Sequence, residues 1–94
     1  MPAPEREMSD EVERFRTEIG EVDRELLEAV NRRLELVRDL KRYKEEHGIT
    51  FVDPAREAEL LDERVRQNRG PLSEAGVRTF FVELLALIKR ELAD

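Results

Sequence analysis

Residues 12–48 read VERFRTEIGEVDRELLEAVNRRLELVRDLKRYKEEHG, and the spacing of their apolar residues decides the fold. Three adjacent stripes recur every seven residues. One runs Val12, Ile19, Leu26, Arg33, Leu40. The second runs Phe15, Val22, Ala29, Leu36, Tyr43, and the third Arg16, Asp23, Val30, Val37, Lys44. Side by side they form the wide apolar face of a core helix, interrupted by Arg16, Asp23, Arg33 and Lys44. Ser9 is the expected N-cap, with Asp10 and Glu11 in the first turn, and Gly48 is the stop. A helix of about 39 residues spans roughly 58 Å at 1.5 Å per residue. A compact domain of 94 residues is only about 30 Å across. The chain is too short to cover its own first helix, so a second copy is expected to cover the rest, as an intertwined homodimer. A break at Gly20 is the alternative that shortens the helix.

Glycine and proline punctuate the chain at HGITFVDP (47–54) and NRGPLSEAG (68–76). ITFV, isolated between helical patterns, reads as a connector. Asp53 is the N-cap of a second helix with Pro54 at its first position, where the missing N–H costs nothing. That helix carries Ala58, Leu61 and Val65 on one face and ends near Asn68. A third runs from Ser73 to about Leu92, with apolar residues around most of its circumference, and is expected to be central and buried. Gly76 marks a weak point or a close approach. The fold class is therefore all-α: one very long helix and two shorter ones, residues 9–94 forming a single helical domain and residues 1–8 a polar, frayed tail.

Composition removes several function classes. Charged residues make up 43% of the chain and the net charge is −6, against the basic face that nucleic acid requires. There is no cysteine and one histidine, so thiol chemistry, a disulfide framework and a His-rich metal site are not expected. No apolar run approaches the roughly 18 residues of a membrane span, and MPAPEREMSD lacks the regions of a signal peptide. The expected location is the cytoplasm, with no metal and no cofactor.

The charges on the core face then need a reason. Arg33 and Lys44 are separated by eleven residues, an offset of about 20° around a helix, so they lie on one line. Arg16 lies to one side and about 25 Å from Arg33. One chain does not bring Arg16 and Arg33 to the same small ligand, whereas an antiparallel partner does. Snorkelling or pairing with Asp23 or Asp53 accounts for one such residue. Three together, each costing several kcal/mol if buried unpaired, suggest a small, multiply anionic ligand, because fixed guanidinium groups grip carboxylates bidentately. Arg56 and Glu57 add to this local density. Asp53 is fully explained as a cap, His47 as a partner of the helix C-terminus, and Tyr43 as core.

The pattern FRTEIGEVDRELLEAVNRRLELVRDLKRYKEEHG followed by VDPARE resembles the all-α chorismate mutase family over roughly residues 12–92. The resemblance implies two pockets in an intertwined dimer, each built mostly from one protomer. It implies that Arg16 reaches into the partner's pocket and that Arg33 binds a substrate carboxylate. Lys44 would hold a carboxylate and the breaking ether oxygen, Asp53 and Glu57 would address the ring hydroxyl, and Arg56 would support the anionic end. The implied reaction is the Claisen rearrangement of chorismate to prephenate, which is unimolecular and needs no base, nucleophile, metal or cofactor.

One part of the pattern is missing. The family places a small polar residue in the last helix, then a Gln or Glu four residues later that hydrogen-bonds the ether oxygen. Ile88 and Leu92 occupy these substrate-facing positions and donate nothing, although Lys89 or Glu91 could substitute. Removing one such donor costs roughly a hundredfold in rate. Three enzymes therefore share the expectation: a modest mutase, a mutase activated by the first enzyme of the shikimate pathway, and a relative acting as isochorismate pyruvate-lyase or aminodeoxychorismate mutase. Outside catalysis, the alternative is a helical dimer serving as an interaction module.

Overall fold

The computed structural model describes residues 4–93, with side chains from Glu7 onward. Three helices follow one another, α1 (Pro4–Glu46), α2 (Pro54–Gln67) and α3 (Glu74–Leu92). No strand is present among the described residues, and the all-α expectation holds. No described helix is long and apolar enough to cross a membrane.

α1 is 43 residues long and passes through Gly20 without interruption. It begins five residues before the expected cap at Ser9, so the stretch read as a frayed tail is helical from Pro4 to Met8. Residues 1–3 of that stretch lie outside the described residues. A proline suits the first helical position because its absent N–H has no partner to lose, and Glu7 supplies negative charge close behind it. The other end closes as expected. Gly48 takes a left-handed φ of 68°. The Ile49 amide donates to the Lys44 carbonyl at 2.8 Å and the Gly48 amide to Glu45 at 3.4 Å, the paired bonds of a Schellman stop. His47 donates from Nδ1 to the Tyr43 carbonyl at 2.8 Å, capping the last turn in the role expected of it. Tyr43 is 55% exposed rather than core, with its ring stacked on His47 at 4.0 Å.

The chain divides into two compact units, residues 1–35 and 36–94. In the first, every described side chain from Glu7 to Ala29 is exposed, including Val12 (45%), Phe15 (53%), Ile19 (58%) and Leu26 (46%). These are the stripe residues predicted to face inward, and here they face solvent.

The second unit holds the core. Asp53 caps α2 by accepting from the Arg56 amide at 3.1 Å, and Ser73 caps α3 by accepting from Gly76 at 3.0 Å. A methyl group added at Gly76 would stand 2.7 Å from Leu72 Cδ1, so this glycine is a close approach. α2 packs on α3, and Leu60, Val77, Leu84 and Ile88 are buried. The three α3 residues are seven and four positions apart and share one stripe. Phe80, Val82 and Leu87 on its other faces remain 38–48% exposed, so α3 is less covered than its composition predicts. One chain supplies a single short helix to pack against it.

Candidate active site

α1 is half-buried at six described positions, Val30, Arg33, Leu34, Val37, Lys41 and Lys44. Apart from the adjacent Arg33 and Leu34, they follow one another at three- and four-residue steps, on one side of the helix. Three of the six are cations. Arg33 and Lys44 are thus each partly covered.

Within the second unit, Lys44 Nζ lies 3.4 Å from the Phe51 carbonyl oxygen. Lys41, one turn earlier on the same stripe, donates from Nζ to the Leu92 carbonyl at 2.7 Å and lies 5.8 Å from the centre of the Phe51 ring. Two lysines thus grip the connector at Phe51, one by its ring and one by its backbone, and the connector delivers Asp53 to the start of α2. Glu57 follows one turn into α2, its amide donating to the Asp53 carbonyl at 3.0 Å. The Glu57 carboxylate is 28% exposed and ion-paired with Lys89 of α3, which is 41% exposed. Lys44 thus meets the connector at Phe51, the connector leads to the Asp53 cap, and one turn further on Glu57 pairs with Lys89.

The remaining candidates are placed differently. Arg56 is exposed on α2, with its guanidinium on Glu63 at 3.0 Å and Glu59 at 3.4 Å. The hydrogen bond from Arg56, then its charge, lowers the Glu63 carboxyl below the ordinary glutamate value, and the same pairing raises Arg56. Ile88 is 3% exposed and belongs to the core, while Leu92 is half-buried and its carbonyl is the one Lys41 holds. Arg16 and Arg33 belong to the first unit. Arg33 is half-buried, whereas Arg16 is 70% exposed and pairs with Glu13 at 2.8 Å on its own helix. Among the described residues no group of His, Asp and Glu is placed to hold a metal ion.

One functional candidate, Lys41, escapes sequence reasoning, and so does the pairing of Lys89, read there only as a substitute donor, with Glu57. Lys41 carries a readable signal, since it sits three residues before Lys44 on the same stripe. The contact of Lys89 with Glu57 spans two helices and carries no local signal.

The chain is all-helical, with half-buried cations on its long helix and a carboxylate–cation pair beside a capped helix start. The family follows from comparison: residues 15–91 match the model of the chorismate mutase type II family, and the chain belongs to that family. It is 35% identical over 69 residues to the T-protein of Haemophilus influenzae, covering 73% of this chain and 17% of that protein. It is also 35% identical over 57 residues to a 4-amino-4-deoxychorismate mutase of Streptomyces venezuelae, covering 61% of this chain and 55% of that one. The chain thus spans about a sixth and about half of the lengths of these two relatives. Two solved forms of the chorismate mutase from Thermus thermophilus match it along 98% of their length. Form I has a TM-score of 0.81 at 31% identity over 83% of this chain, and form II 0.83 at 30% over 89%.

Proposed function

We propose that the protein is a chorismate mutase acting as an intertwined homodimer in the cytoplasm. The observation that carries this reading is the half-buried stripe of Arg33 and Lys44 in a chain of the chorismate mutase type II family. Arg33 and Lys44 bind the carboxylates of the substrate, and Arg16 enters the pocket from the partner's α1. Asp53 and Glu57 meet the ring hydroxyl, and Arg56, released from Glu63, supports the anionic end. Leu92, half-buried, forms the apolar side, with Ile88 behind it in the core.

The chemistry lies within one molecule. The ether C–O bond breaks as the new C–C bond forms, and no proton or group leaves. The pocket holds the enolpyruvyl arm over the ring, and the Lys44 ammonium stabilises the negative charge developing on the ether oxygen. A dimer is supported by the apolar side chains of Val12, Phe15, Ile19 and Leu26, each about half exposed. With no donor at Ile88 or Leu92, an activating shikimate-pathway enzyme is the partner through which turnover would be raised.

The test is purified protein with chorismate, followed by ultraviolet absorbance and product identification. Prephenate formed by the wild type and not by Arg33→Ala is the expected result. Failure of the folded wild type to consume chorismate, alone or with the first enzyme of the pathway, refutes it. The similarity to a 4-amino-4-deoxychorismate mutase makes the amino analogue the second substrate to assay.

A further inference from the structure

The Glu57–Lys89 ion pair joins the first turn of α2 to the last turns of α3. Lys89 follows Ile88, which is 3% exposed, so its backbone is anchored in the core. Its ammonium contacts one oxygen of the carboxylate, Oε1. The second oxygen keeps lone pairs that can accept a hydrogen bond.

We infer that Lys89 is a specificity-determining residue that makes this site select a ring hydroxyl over a ring amine. The inference rests on the reading that Glu57 meets the ring substituent. A carboxylate alone attracts an ammonium group more strongly than a hydroxyl, because the bond gains a full charge interaction. With Lys89 attached, Glu57 presents a neutral pair. A hydroxyl still donates to Oε2 and loses nothing. An amine that is protonated at neutral pH arrives a few ångströms from a second fixed cation, and the repulsion cancels its attraction to the carboxylate. The preferred substrate is therefore the hydroxyl-bearing cyclohexadiene dicarboxylate, chorismate, and the amino analogue is excluded by charge rather than by size.

The experiment compares kcat/KM for chorismate and 4-amino-4-deoxychorismate at neutral pH in the wild type, Lys89→Met, Lys89→Gln and Lys89→Arg. The wild type favours chorismate. Because Lys89 is partly solvent-screened, removing its charge shifts the ratio towards the amine by about tenfold, and Lys89→Arg keeps the wild-type ratio. A purely structural role lowers both kcat/KM values together and leaves the ratio in place, which overturns the inference. A wild type that prefers the amine also overturns it. Lys89→Gln, close to lysine in reach and helix propensity, provides the reading if Lys89→Met folds poorly. A wild type that consumes neither substrate refutes the functional reading beneath the inference, whereas chorismate turnover with an unchanged ratio refutes the inference alone.

Discussion

Ile19→Ala is expected to weaken dimerisation without harming α1. Ile19 is 58% exposed in the single chain and lies on the stripe with Val12 and Leu26. Truncation to alanine removes three carbons, about 2.4 kcal/mol at roughly 0.8 kcal/mol per buried methylene. Scaled by the exposed fraction, the part that only a second copy can bury is about 1.4 kcal/mol per chain. Two-fold symmetry doubles the loss to about 2.8 kcal/mol, which is roughly a hundredfold in dissociation constant. Alanine is also the better helix former, so the helix itself does not suffer. Sedimentation equilibrium over a range of protein concentrations measures the constant, with circular dichroism as the control for helicity. A dissociation constant within about threefold of wild type refutes the reasoning, as does a wild type that stays monomeric throughout.

Two further outcomes are expected. Gly48→Ala, placed at a φ of 68°, costs about 1 kcal/mol of stability because alanine resists the left-handed region; chemical denaturation reads this as a lower midpoint with an unchanged slope. Arg56→Met returns the Glu63 carboxyl towards the ordinary glutamate value, seen as a rise in its NMR titration midpoint. In the wild type the folded value is the lower one, so the contribution of this exposed pair is present above the unfolded value and fades as pH falls through the folded one.

Much of the fold is legible because helix ends and faces are local facts. Asp53, Pro54, Ser73 and Gly48 announce their caps and stops by residue type alone, and the spacing that sets Arg33 and Lys44 on one stripe is the spacing the structure shows. The start of α1 is less legible, since a proline and an acidic residue read as tail or as first turn depending on whether the helix behind them propagates that far. Side-chain pairings between helices are not legible. Nothing local says that Lys89 meets Glu57, that Lys41 reaches the Leu92 carbonyl fifty-one residues away, or that Arg56 turns to Glu63. The apolar stripe of α1 is legible as a surface requiring cover, and a single chain leaves it bare.

The most direct test of a mutase site shared between two copies is to mix two inactive variants. Arg16→Ala and Lys44→Met homodimers each lack one part of both pockets. After unfolding and refolding together, random pairing makes about half the molecules mixed dimers, each with one complete pocket of two. The account predicts recovery of about a quarter of wild-type prephenate formation. No recovery from a mixture shown to contain mixed dimers, beside an active wild type, would contradict it.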